Sequence, residues 1–315
     1  DVYTLRDMSE RTLKVLDTRK DIACVLINPI QAMHPNQDAA GDASLVNSKR
    51  SASFDREAYS RWLKQVREVC YLRGIVLIFD EVFTGFRLGY HGAQGYFGVQ
   101  ADMVTYGKTL GGGLPVGVLC GRRDLMQRFK PHQPANISFA RGTFNSHPYV
   151  LAAMNVFLQR IEQPEYRKLY LQADATWDAR IALLNERLHA AGLPVEVANL
   201  HTICTVLYRR PSRYNWMFQF YLRDQGLELS WVGSGRMIMS LNFTAEDFEE
   251  VTCRFVRAAQ QMLEDGWWWH SPELTAQAIQ KQLLAEMLRA RFPLLGRIKT
   301  SMPDCQSDIT GEIAQ

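Results

Sequence analysis

Two neighbouring stretches, Ile75-Val-Leu-Ile-Phe-Asp80-Glu81 and Asp102-Met-Val-Thr-Tyr-Gly107-Lys108-Thr-Leu-Gly-Gly-Gly113, decide how this chain folds. Each opens with an apolar run too short for a helix and closes on a polar residue or a glycine cluster. Uninterrupted apolar runs of this length belong to strands buried on both faces of a sheet. Upstream, Ile22–Asn28 reads as another strand, stopped by Pro29. Between them, Phe54–Arg73 has helical spacing, with Asp55 as N-cap and Tyr59, Leu63, Val66, Val69 and Cys70 on one face, ending at Gly74. Val116–Cys120 adds a further short strand, expected to be buried like the others. The succession of strand, helix and strand makes the first half of the chain α/β.

The pattern changes at Pro148. From there to about Ala191 it is helical, with a break at Pro164, because a proline inside a helix removes a hydrogen bond and clashes with the preceding turn. Leu193–Tyr208 and Leu227–Leu241 read as strand-bearing segments separated by a helical Ser212–Asp224. Thr244-Ala-Glu-Asp247 carries the signature of a capped helix running to about Asp265. A further helix is predicted around Pro272–Arg291, and Lys299–Gln315 is polar. The predicted division is residues 1–164, a smaller α+β unit over 165–266, and a helical and polar tail over 267–315. Trp267–Trp269 with Phe292 read as packing residues, given the area a buried aromatic contributes.

Length and composition exclude several classes. At 315 residues and 47% hydrophobic, the chain is long enough for two compact domains. Its net charge of +3 arises from interspersed residues, 36 basic and 33 acidic, so no extended surface for nucleic acid is implied. No apolar run approaches bilayer length, and neither a basic leader nor an apolar signal core precedes residue 20. The six cysteines are far apart with no CxxC pair, which argues against a zinc cage and fits free thiols in a reducing cytoplasm. No metal ligand set is expected.

The chemistry concentrates at the two strand ends. A lysine set among glycines can form an imine with an aldehyde cofactor, pyridoxal 5′-phosphate (PLP), while a carboxylate holds that cofactor's ring nitrogen protonated. Lys108 and Asp80 suit these separate roles. Taken alone, Asp80 reads equally well as a strand-end carboxylate capping a turn, and a lone lysine is more often a solvated loop residue. Rival motifs fail on spacing. The first glycine of a nucleotide phosphate loop would fall at Asp102, and Val116 stands where a dinucleotide motif needs its third glycine. Gly233-Ser234-Gly235 lacks the nucleophile-elbow pattern, and no HExxH is present. Arg87 reads either as a clamp for a substrate carboxylate, since a planar guanidinium suits two-pronged pairing, or as a structural cap. Arg141 and His147 have structural readings that outweigh a role at the site mouth.

Asp80-Glu-Val-Phe-Thr-Gly-Phe-Arg87, Gly92-Ala-Gln-Gly-Tyr-Phe-Gly98, Asp102–Gly117 and Gly142-Thr143 together resemble the class III PLP-dependent aminotransferases, in particular their glutamate-1-semialdehyde aminomutase-like branch. The resemblance in layout runs from Ile22 to about Asp265. It implies a fold-type I transferase, with a mostly parallel sheet in a large domain and a smaller C-terminal α+β domain. Lys108 would bind the cofactor covalently, Asp80 would face the pyridine nitrogen and Val82 would press on the ring. Thr143 and the Gly142 backbone would bind phosphate across a homodimer interface. Amino-acid donor and aldehyde or ketone acceptor would be the substrates; intramolecular transfer as in an aminomutase is the alternative, and a non-catalytic dimerisation fragment another. Members usually carry Glu-Pro where this chain has Asn28-Pro29. No counterpart is found for the family's upstream phosphate loop and ring-stacking aromatic, so the chain reads as a C-terminal piece. The tail after Trp269 suggests attachment to other domains of a larger biosynthetic enzyme.

Overall fold

A computed structural model describes residues 1–29, 55–127, 132, 142–228, 236–273 and 275–292. The chain begins with α1 (Glu10–Thr18), β1 (Cys24–Ile27) and α2 (Arg56–Arg73). The Asp55 side chain accepts a hydrogen bond from the Ala58 N–H, and Gly74 ends the helix in the left-handed region at φ 68°, which glycine enters without a Cβ penalty. Next come β2 (Val76–Glu81), α3 (Gly92–Phe97), β3 (Met103–Gly107), a 3-10 turn over Lys108–Gly111, β4 (Gly117–Gly121) and α4 (Arg123–Met126). The sheet order is β1-β2-β3-β4, with β1, β2 and β3 parallel and β4 antiparallel. Tyr59, Leu63 and Val66 of α2 pack with Leu77, Phe79 and Phe97 in one buried core.

At the start of β3, Asp102 joins three elements. It accepts from the Leu77 N–H (2.8 Å) and from Arg67 (2.8 Å) and Arg122 (2.9 Å). Burial alone would raise its pKa; the Leu77 N–H and the guanidinium groups outweigh that and hold the carboxyl below its ordinary range.

The expectation of strands buried throughout fails for β4, which is exposed at Gly117, Leu119, Cys120 and Gly121. Cys24 and Leu26 of β1 are exposed as well. These are the two outer strands of the sheet, and no further strand pairs with either among the described residues.

The second half contains α5 (Pro148–Ile161), α6 (Pro164–Ala190), the hairpin β5 (Val195–Leu200) and β6 (Ile203–Tyr208), α7 (Phe218–Asp224), β7 (Arg236–Ile238), α8 (Ala245–Glu264) and α9 (Ala276–Arg291). β5, β6 and β7 form an antiparallel sheet. Ala173, Trp177, Ile181, Leu184 and Leu188 recur every three or four residues along α6, so one stripe of a long helix is buried. That stripe packs with Val197, Val206, Phe218, Phe255 and Met262 in a second core. Each large apolar side chain so buried contributes about 1.5–3 kcal/mol. Helix α8 has the capping box read from the sequence: Thr244 and Asp247 satisfy one another's backbone N–H groups. Leu200 and Ile203, at the tip of the β5–β6 hairpin, belong to the first core although their strands belong to the second sheet.

Candidate functional site

Parallel pairing of β2 with β3 sets Asp80 opposite Thr105. Asp80 and Lys108 therefore lie at the carboxyl ends of adjacent parallel strands, the edge at which open α/β sheets bind ligands. Oδ1 of Asp80 accepts from Thr105 Oγ1 and from the Val82 N–H, both at 3.1 Å. The bond to Val82 is the turn-capping role, and it occupies the same oxygen as the Thr105 bond. Oδ2 accepts no hydrogen bond among the described residues and is left for an external donor.

Lys108 follows β3 directly, at φ 43°, a left-handed backbone that costs a residue with a Cβ about 1–3 kcal/mol. Its exposed side chain has Nζ 5.6 Å from the centroid of the Phe83 ring. The guanidinium carbons of Arg87 and Arg236 lie 5.1 Å and 5.0 Å from the same centroid. One nearly buried aromatic ring is thus shared by three cations, each within the range of cation–π attraction. Gly107 makes this packing possible, since a Cβ there would stand 3.0 Å from the Val116 carbonyl oxygen and 3.1 Å from Val82 Cγ1.

Beside Asp80, the sequence conceals a second carboxylate with a structural task. Glu81 is fully buried and accepts from the Ala93 N–H (2.6 Å) and the Gln94 N–H (3.2 Å), at the first turn of α3. Burial pushes its carboxyl up to about 7, against the pull of these two donors. Gly92 sits at φ 61°, and a Cβ on it would overlap Oε2 of Glu81. Changing Gly92→Ala is therefore expected to cost about 2–5 kcal/mol, combining left-handed strain with displaced hydrogen bonds. Denaturant unfolding checks this; a loss below about 1 kcal/mol would show that Glu81 does not anchor α3.

The remaining candidates are dispersed. Gly142 and Thr143 are exposed, and no hydrogen bond joins Thr143 to Asp80, Val82 or Lys108 among the described residues. The turn over residues 143–146 leads into α5, which packs against the 3-10 turn that Lys108 begins; a Cβ on Gly112 would meet the Ala153 carbonyl oxygen at 3.9 Å. His147 is the N-cap residue of α5, half-buried. Arg141, Gly233–Gly235 and Lys299–Gln315 lie outside the described residues. Trp268 is buried and donates to the Ala259 carbonyl (2.8 Å), as a packing residue should, whereas Trp267 and Trp269 flank Tyr214 but stay exposed, as does Phe292.

His201 carries no sequence signal, yet it lies buried at the β5–β6 turn with φ 56°. Neither ring nitrogen has a hydrogen-bond partner among the described residues, and burial pushes the imidazole down to about 4, helped by the positive charge of Arg87.

Residues 6–259 match the family Aminotransferase class-III. Among curated relatives, a glutamate-1-semialdehyde 2,1-aminomutase of Methanocaldococcus jannaschii is 35% identical over 214 residues, 67% of this chain and 41% of that relative. The Bordetella avium protein of the same name is 39% identical over 175 residues, 55% of this chain and 35% of that relative. A solved structure described as a transaminase with PLP bound superposes with a TM-score of 0.61 at 27% identity, covering 82% of this chain and 55% of the other. The chain thus spans about two fifths of the length of the curated relatives it matches.

Proposed function

This chain belongs to the class-III aminotransferases and has their fold-type I α/β architecture, and from that premise we propose a PLP-dependent aminotransferase that moves an amino group from an amino-acid donor to an aldehyde or ketone. One observation carries the reading. A lysine on strained backbone and a carboxylate with one open oxygen end adjacent parallel strands. These residues would suit the cofactor: Asp80 for the pyridine nitrogen, Val82 for the ring face, Lys108 as covalent anchor, and Thr143 with the Gly142 backbone for phosphate across a dimer interface.

When bound, PLP supplies an aldehyde for the donor amine and a ring system that takes up the electron pair released at carbon. Lys108 Nζ would be the covalent anchor that a donor amine displaces. As a free amine, Lys108 would be the general base and acid of the reaction, taking a proton from the donor carbon that bears nitrogen and giving it back. Asp80 would hold the ring nitrogen in its protonated form, which a facing opposite charge favours by about 1–3 pKa units.

Borohydride reduction of the isolated protein, followed by peptide mass mapping, tests the cofactor and its anchor together. The expected result is a pyridoxyl adduct on the peptide containing Lys108. An adduct on another lysine would overturn the assignment, and none at all would favour a non-catalytic dimerisation fragment.

The names of the two curated relatives favour a second reading, intramolecular transfer as in an aminomutase. Isotopic amino nitrogen separates the two, since retention within one carbon skeleton is the mutase outcome. The proposal includes a homodimer, supported by Phe144, Tyr149, Leu151 and Val156, which leave apolar surface exposed on and before α5. Thr143 would then serve the partner's cofactor. We also propose a division near Pro164, with the PLP-binding part before it and a small domain over 165–266, supported by the separate core of the later elements. A cytoplasmic location is supported by the unpaired Cys24, Cys70, Cys120, Cys204 and Cys253.

A further inference from the structure

Arg87 is a partly buried arginine held by neutral groups. Its Nε donates to the Phe83 carbonyl (3.1 Å) and its Nη2 to Thr109 Oγ1 (3.3 Å), both neutral acceptors. Among the described residues no carboxylate pairs with it, whereas Arg67, Arg122, Arg187, Arg209 and Arg213 all have one. Burial lowers its pKa from the ordinary value, as expected of a cation short of both solvent and a counter-charge. A desolvated guanidinium with only neutral partners is costly to maintain, and an anionic ligand would remove much of that cost.

The surroundings specify the rest of such a ligand. Arg87 and Thr109 line a cavity of about 340 Å³ whose other walls include Phe86, Phe157, Leu169 and Met239. A cavity of this size accommodates a small ligand, and its walls are mostly apolar, with the guanidinium groups of Arg87 and Arg160 as its charged fixtures. It adjoins the transfer site, because Thr109 follows Lys108 and both Arg87 and Lys108 reach the Phe83 ring. Arg236 lies on the opposite strand set against that same ring and adds positive potential.

We infer that Arg87 is a specificity-determining residue that binds the carboxylate of an amphipathic substrate, one whose apolar body occupies the cavity while its amine or carbonyl carbon reaches Lys108. The inference rests on the reading of Lys108 as the transfer residue and deepens it: at least one substrate is a carboxylic acid with an apolar chain or ring. The two Arg87 hydrogen bonds hold the guanidinium in place without neutralising it, so the charge remains available to the ligand.

Calorimetric titration of the chain with 4-phenylbutanoate and with its neutral isostere 4-phenylbutanamide tests this without any amino transfer. The expected result is at least tenfold tighter binding of the carboxylate. In Arg87→Gln that preference should vanish with the amide affinity unchanged, and Arg87→Lys should restore part of it. Equal affinity of the unaltered protein for the two probes, or no binding of either, would overturn the inference. So would a preference that survives in Arg87→Gln. The comparison on the unaltered protein stands even if a variant fails to fold. A carboxylate preference without a pyridoxyl adduct on Lys108 would sink the transferase reading and leave a carboxylate site; an adduct without the preference would sink the Arg87 assignment alone.

Discussion

Lys108→Ala is expected to lower kcat by about 10⁴-fold or more, because on the proposed reading it removes both the covalent anchor and the group that moves the proton. Alanine is the informative replacement. It keeps a Cβ on the left-handed backbone at φ 43°, so the local strain persists and the folded state is disturbed little. Glycine would relax the strain and confuse a chemical effect with a conformational one. The measurement pairs turnover with thermal unfolding in the same preparation. Loss of turnover with an unchanged melting temperature is the expected outcome, and undiminished turnover would refute the mechanism.

Asp80→Asn is expected to reduce kcat by roughly 10- to 10³-fold, the rate equivalent of the 1–3 pKa units that a facing carboxylate supplies. The amide keeps an oxygen where Oδ1 accepts from Thr105 and the Val82 N–H, so the strand end remains tied. Asp80→Ala strips both bonds and should lose about 1–3 kcal/mol of stability in addition. The two variants separate the chemical role from the structural one. Should the Asn variant turn over like the parent while the Ala variant unfolds early, Asp80 would be a turn cap and nothing more.

Much of the fold was legible because local chemistry and tertiary packing agree. Asp55 and Gly74 delimit α2, Thr244 and Asp247 cap α8, and the break at Pro164 separates α5 from α6, each for a reason contained in a few consecutive residues. The exposure of β4 was not legible, because an apolar run reports what a strand prefers to bury and not which neighbours cover it. The pairing of Asp80 and Lys108 was legible in spacing, since both follow apolar runs and parallel pairing then brings their ends to one edge. Glu81 was hidden by its neighbour: adjacent strand residues point to opposite faces, so Asp80 and Glu81 serve different tasks, and only Gly92 hinted at the second. The role of Phe83 was not legible, since its ring gathers Lys108, Arg87 and Arg236 from three separate segments that no local pattern connects.

The tip of the β5–β6 hairpin has a consequence for motion. Leu200 and Ile203 are seated in the core of the other sheet, with His201 buried between them. Swinging the two halves apart would draw both aliphatic side chains into water, at about 1.5–3 kcal/mol each. An opened conformer would then hold roughly 10⁻² to 10⁻⁵ of the population at equilibrium. The buried hairpin tip therefore couples the two halves, and opening between them is disfavoured relative to small rotamer changes around the cavity.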